Sequence, residues 1–372
     1  MNKASDKSQR LLSLDALRGF DMLFIMGLSG LILNLSKLTP ECGLMQWLGA
    51  QMHHVAWDGF THHDTIFPLF LFIAGISFPF SLAKQRDGGV STARICGRII
   101  KRGVILVLLG MVYNGLLRLQ LDTLRIPSVL GRIGMAWMFA ALMTVWLPAK
   151  VRAAISAILL IGYSLLLTIP APDIAEGVEV WSRQGNLAGY IDRIVMPNHI
   201  LWRGTMDPEG LLSTLPAIVT AMLGVFTGEF VRRSDVSGTR KSAIMFGAAA
   251  VMLIGGIAWG ALQPINKTLW TSAFVLTAAA YSLAMFALFY YIIDVRGWQK
   301  WTGFFRVVGV NSITIYLAQR FISFSDIARN IFGGVASKLP EAWEAIILSV
   351  GYIALCWLLL YFLDRKKVYL KV

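Results

Sequence analysis

Charge is what this sequence has least of. Only 15% of its 372 residues are Asp, Glu, Lys or Arg, where a soluble domain carries about a quarter. That shortage excludes an ordinary water-soluble globule of this length. Cysteine is scarce too: Cys42, Cys96 and Cys356 lie far apart, two of them in or beside apolar segments. Neither a disulfide framework nor a Cys-based zinc site is expected from them. No internal repeat, low-complexity tract or flexible linker is evident, which points to a single integral membrane domain over residues 1–372. Nor is a cleavable signal peptide expected. The first dozen residues are polar, and the first apolar run carries Asp15, Arg18 and Asp21 with no small-residue cleavage site behind it, so it reads as a retained helix.

What the sequence has instead is hydrophobicity: 56% of residues are apolar and the mean hydropathy is +0.63. This is the composition of a polytopic, all-α membrane bundle. A spanning helix needs about 17–25 apolar residues, and ten runs qualify, at about 14–35, 65–83, 101–117, 129–148, 152–170, 210–230, 242–262, 271–292, 305–321 and 342–363. An eleventh span is admitted by the pattern. With a cytoplasmic N-terminus, basic residues divide about two to one in favour of the inner connections. Lys3, Lys7, Arg10, Lys84, Arg94, Arg98, Arg232, Arg240 and Lys371 are among those inside, as the positive-inside rule asks. Both termini are then cytoplasmic. The net charge of +13 follows from these short basic clusters between apolar runs and does not point to nucleic acid.

Four of the five histidines fall in the stretch HHVAWDGFTHHDTIFP, residues 53–68, which leads into the second apolar run. Imidazole is the side chain best suited to moving protons near neutral pH, and here it gathers where an aqueous loop meets hydrocarbon. His53, His54, His62, His63 and Asp64 include zinc-type ligands, but the spacing matches no helical His-x-x-x-His motif, and no metal is expected. Other polar groups lie where lipid would not tolerate them. Asp15, Arg18 and Asp21 share one arc of the first helix, so Arg18 can pair with both carboxylates. Arg132 falls about one turn into the fourth run. Asn311, Ser312, Thr314 and Gln319 put enough polarity into the ninth run to suggest a lined cavity. The loop 171–209 mixes Trp181, Arg183, Tyr190, Asp192, His199, Trp202 and Arg203. It suits contact with a polar sugar or an interfacial aromatic belt.

The opening RLLSLDALRGF, residues 10–20, is similar to that of transmembrane acyltransferases. The block from His54 through Trp57, Asp58, Gly59, Thr61 and Asp64 to Phe67-Pro68 and Gly75 resembles the heparan-α-glucosaminide N-acetyltransferase family and its bacterial homologues. RIPSVLGR (125–132), DPEGLLSTLP (207–216) and PINKTLWTS (264–272) agree, in the same order. The resemblance implies a family that takes acetyl-CoA on the cytoplasmic side and delivers the acetyl group to a glucosamine amine on the far side. It implies that His54, three residues before Trp57, is catalytic, with His53 as the competitor in register. The family's animal enzyme has an asparagine late in the first helix near the acetyl group; here that place falls on Ser29, with Asn34 beyond it. A large lumenal domain ahead of the first run is not expected. For bacterial members, cell-wall amino sugars or sugar uptake are the candidate contexts.

The residues themselves suggest roles. His54 can take a proton from the attacking amine, with Asp64, or else Asp58, orienting its ring. Alternatively, His54 carries the acetyl group itself. Ser29 and Asn266 are candidate donors to the oxyanion. Asp207 and Glu209 can hold a sugar ammonium or hydroxyls, and Trp57, Asp58, Lys267 and Trp270 other sugar groups. Arg98, Arg102, Arg132 and Arg306, with Lys101 and Lys300, are available for CoA phosphates. The expected partners are acetyl-CoA, an amino-sugar or glycan acceptor, the lipid bilayer and, in a homodimer, a second copy. The expected location is a bacterial inner membrane. The rival reading is an amino-sugar transporter, whose spans and polar helices would look alike.

Overall fold

A backbone in hydrocarbon must satisfy its own hydrogen bonds, and each of the ten apolar runs is helical in the computed structural model, which describes residues 11–370 apart from 176. Lys3, Lys7, Arg10 and Lys371, counted above toward orientation, lie outside the described residues. The first run forms α1 (Leu12–Leu23) and α2 (Ser29–Leu38), joined by a π turn over Phe24–Leu28. Gly27 sits in that turn at φ 119°, a conformation glycine takes freely. A short α3 (Gly43–Ala50) leads to the histidine-rich loop and then to α4 (His62–Asp87). Thr61 and Asp64 make a reciprocal capping box at its start, which satisfies otherwise orphaned backbone donors.

There follow α5 (Thr92–Tyr113), α6 (Val129–Trp146), α7 (Ala149–Leu166), a small surface helix α8 (Leu187–Val195), α9 (Thr214–Val231), α10 (Gly238–Gly260) and α11 (Ser272–Phe289), the last continuing as a π turn over Tyr290–Val295. The chain closes with α12 (Thr302–Val310), α13 (Ser312–Phe321), α14 (Phe324–Ala336) and α15 (Glu341–Arg365).

Among the described residues, eight helical segments are long and apolar enough to cross a membrane. Two of the ten expected runs differ from their outline. The third extends N-terminally into α5, because the segment with Arg94 and Arg98 continues the helix beyond its apolar part. The ninth is broken at Asn311 into α12 and α13.

Burial separates an inner from an outer set. In the apolar windows of α9 and of α11 with its π turn 72% of residues are buried, against 17% in α10 and α15, so the former are core and the latter present their sides to lipid. The central helix is α4, which packs on α9, α6, α11 and α1. Its crossing with α9 depends on small residues. A Cβ on Gly224 would lie 2.1 Å from Phe72 O, and one on Gly75 2.1 Å from Ala221 O. Gly224→Leu should therefore force the helices apart at a cost of ~3 kcal/mol or more. The expected outcome is loss of monodisperse protein in detergent; a variant with unchanged elution and melting would contradict this packing.

The loops following α3, α5, α7 and α10 gather at one end. Gly59 N donates to Ile265 O at 3.0 Å and Ile126 N to His199 O at 3.0 Å, and Trp57 Nε1 donates to Trp181 O at 2.6 Å. The opposite end carries Arg86, Arg152 with Glu229, and Arg306 with Asp364. In α1, Arg18 pairs with Asp15 at 3.3 Å and reaches Ser77 Oγ at 3.5 Å. The expected second pair with Asp21 is not formed: Asp21 is buried and neither of its carboxyl oxygens is hydrogen bonded. The Arg18 side chain is directed toward Asp15 and Ser77, away from Asp21.

Candidate active site

Asp64 is fixed by the start of α4. Its Oδ2 accepts from Thr61 N at 3.4 Å and Val55 N at 3.3 Å, with Thr61 Oγ1 2.9 Å away. That leaves Oδ1 for His54, whose Nδ1 lies 2.7 Å away. An ionised carboxylate only accepts, so Nδ1 donates to it and Nε2 carries the lone pair. The carboxylate is 3% exposed and the imidazole 56%: one partner is anchored and the other is open to a reactant. Lys267 Nζ stands 3.3 Å from His54 Nδ1 and 3.6 Å from Asp64 Oδ1. Burial pulls the Lys267 pKa down, against the opposing pull of Asp64.

The other histidines separate. His63 packs against His54 with ring centroids 4.4 Å apart and planes tilted by 58°, and its Nδ1 is 3.4 Å from Ser29 Oγ. His62 turns into the bundle, with Nδ1 2.8 Å from Tyr281 Oη. His53 is exposed. Among the described residues, no three His, Cys, Asp or Glu side chains converge as metal ligands would.

The loops behind this pair are braced by residues read above as sugar contacts. Asn266 Nδ2 donates to Trp57 O at 2.8 Å and its Oδ1 accepts from Leu269 N, so its amide is engaged in tying its own loop to the histidine-rich one. Asp58 Oδ1 accepts from Ile265 N at 2.8 Å. Trp270 is 1% exposed at φ 52°, donating to Thr220 Oγ1; a bulky residue holds that backbone conformation only where packing imposes it. Asp207 is buried and takes two bonds from Arg125, at 2.7 and 2.8 Å, while Glu209 takes another from the same guanidinium. Burial alone would lower the Arg125 pKa, but the two carboxylates outweigh it and the net shift is upward. Asp192, pushed up to about 6 by burial, accepts from Leu211 N and Asp207 N in the same loop. Trp57 stays half-buried beside His54, with Arg183 packed over its ring and over Trp202.

Between the helices runs a cavity of about 1380 Å³, beyond the ~300–1,000 Å³ of a pocket for a drug-sized ligand. His54, His63 and Lys267 line one end of it; Lys84, Asp87 and Arg232 line the other. Along α4 alone, His63 and Lys84 are roughly 31 Å apart, so the cavity traverses the bundle. Arg18 and Arg102 line it on the way, and Ile25, Ile66, Phe67 and Phe70 make its upper wall apolar. Such a shape accepts a long, thin molecule with an anionic end.

Of the four arginines expected to meet CoA phosphates, Arg102 lines this cavity. Arg98 is exposed and bonds Gln85, and Arg306 pairs with Asp364. Arg132 is buried at the histidine end, bonded to Ser213 and stacked over Trp270; it cannot serve the opposite end because it sits in the first turn of α6. Lys84 and Arg232, which sequence reasoning counted only toward orientation, are cavity residues. Tyr316 was missed altogether, and nothing local marks it.

No family model matches the sequence. Two curated relatives do. Heparan-alpha-glucosaminide N-acetyltransferase of Mus musculus is 26% identical over 406 aligned residues, covering 92% of this chain and 59% of its own length. Its counterpart in Homo sapiens is 28% identical over 385, covering 86% and 55%. The chain is similar to these two N-acetyltransferases over most of its own length. It spans a little over half the length of these relatives. The aligned share takes in most of the helices.

Proposed function

We propose that this chain is a transmembrane N-acetyltransferase that moves an acetyl group from cytoplasmic acetyl-CoA to the amine of a glucosamine-type sugar on the other side of a bacterial inner membrane. The observation that carries the reading is the cavity joining a basic end to the His54–Asp64 pair. The residues fit the donor. Lys84, Arg102, Arg18 and Arg232 are placed for its phosphates, and the apolar middle suits an extended thioester arm. Phosphates at that end put it in the cytoplasm, with ten crossings and both termini inside.

At the other end His54 Nε2 takes a proton from the sugar amine. The amine nitrogen then bonds to the thioester carbonyl carbon, the carbon–sulfur bond breaks, and the thiolate departs into the cavity. Asp64 holds the ring in the required tautomer. Trp57 and Lys267 are left to orient the sugar, and Ser29, through His63, borders the reacting carbonyl. Transfer through an acetylated His54 uses the same geometry, with the proton released one step later.

The continuous cavity would also suit an amino-sugar permease, and one experiment separates the two. Vesicles containing the protein are loaded with acetyl-CoA and given labelled glucosamine outside. N-acetylglucosamine should accumulate outside while CoA stays within. Unmodified sugar accumulating inside would overturn the transferase reading.

A further inference from the structure

Midway along the cavity the wall changes character. The close packing of α12 on α1 sets the depth: a Cβ on Gly309 would stand 1.9 Å from Asp15 O, and one on Gly19 1.8 Å from Phe305 O. Two residues beyond Gly309 the helix breaks at Asn311, φ −118° and ψ 20°, and restarts as α13. Asn311 is 1% exposed. Its Nδ2 donates to Val307 O at 3.4 Å, whereas its Oδ1 has no partner. Thr314 Oγ1 is equally enclosed and has no partner either. A threonine in a helix usually bonds the carbonyl four residues back; here that residue lies across the break. The two side chains are three residues apart, on one face, and both line the cavity among Met22, Ile25 and Phe70. Buried polar atoms without partners are few in folded proteins. Here an acceptor and a hydroxyl without partners stand together in the cavity wall, the complement of a secondary amide, which offers one N–H and one C=O.

We propose that Asn311 Oδ1 and Thr314 Oγ1 form a donor-selecting subsite that binds the amide of a pantetheine arm farther from sulfur, and so admits thioesters bearing that arm in preference to short ones. This rests on the reading that the cavity carries a CoA thioester. The depth agrees. Gly19 and Ser29 are roughly 15 Å apart along the first helical span, which puts Asn311 about 12 Å below the Ser29–His63 contact. An extended chain from the reacting carbonyl to the farther amide reaches roughly 10 Å, and the remainder is one van der Waals contact.

The test uses the purified full chain and two donors. Acetyl-CoA has both amides; S-acetyl-N-acetylcysteamine keeps the amide nearer sulfur and lacks the farther one. Asn311→Ala should raise KM for acetyl-CoA, and Kd for CoA measured by calorimetry, about tenfold, with kcat nearly unchanged. KM for the short donor should stay as it was. Thr314→Val, of the same shape, should act in the same direction and guards against a folding defect at the break. Equal losses with both donors, or no change in CoA affinity in either variant, overturn the subsite. If the unsubstituted protein uses the short donor but shows no affinity for CoA, the donor reading falls and the subsite with it.

Discussion

His54→Ala should lower kcat/KM for acetyl transfer by about 10²–10⁴-fold, the usual contribution of a general base, and leave CoA affinity where it was. The two halves of that expectation come from different ends of the cavity. The proposed base is the His54 Nε2 lone pair, left free because Nδ1 faces Asp64 Oδ1 at 2.7 Å. The cations placed for phosphate, Lys84, Arg102 and Arg232, sit at or toward the far end of α4 and do not touch the histidine loop. A substitution at the exposed ring therefore removes proton transfer without disturbing the donor's anchor. His53→Ala is the control. That residue is also exposed, and its carbonyl, which accepts from Thr61 Oγ1 at 2.7 Å, survives the change, so near-normal turnover is expected. Comparable losses in both variants would mean that the loop, not the base, had been damaged. Normal turnover of His54→Ala would remove His54 from the chemistry.

Much of this arrangement is legible in the sequence because it is local. The apolar run at about 65–83 marks the helix that starts at residue 62, and the four histidines fall in the short loop before it and in its first turn. The polarity of Asn311, Ser312 and Thr314 marks a cavity wall, and those three residues do line it, while Gln319 from the same run bonds Tyr352 instead. What stays hidden is non-local. Asp207 and Glu209 look like sugar contacts by type; only the fold brings Arg125 against both, from more than eighty positions away. Asn266 likewise finds Trp57 across 209 positions. Lys84 and Arg232 are indistinguishable in sequence from other basic residues at helix ends, since facing a cavity instead of solvent depends on which helices become neighbours. The extension of α5 past its apolar run has the same origin: a charged turn lacks hydropathy yet keeps good helix formers such as arginine and lysine.

Asp64→Asn should cost about 10⁴-fold in turnover, the size of effect seen when the carboxylate that orients a catalytic imidazole is made an amide, with little loss of stability. The two oxygens of Asp64 do different things. Oδ2 holds Thr61 and Val55 and so caps α4; Oδ1 holds His54, with Lys267 close by. An asparagine side chain can leave its carbonyl oxygen in the Oδ2 position, which preserves the cap. Its NH2 then faces His54 Nδ1, donor against donor. The ring can resolve that conflict only by moving its proton to Nε2, and the nitrogen that should receive the amine proton is no longer a base. Asp64→Ala loses the same activity and the cap as well, which lowers stability by ~1 kcal/mol more. Turnover measured beside thermal unfolding for the two variants separates these roles. Equal melting with activity lost in both is incompatible with the cap, and an Asp64→Asn variant that retains a substantial fraction of its activity would show that His54 does not need a carboxylate to act.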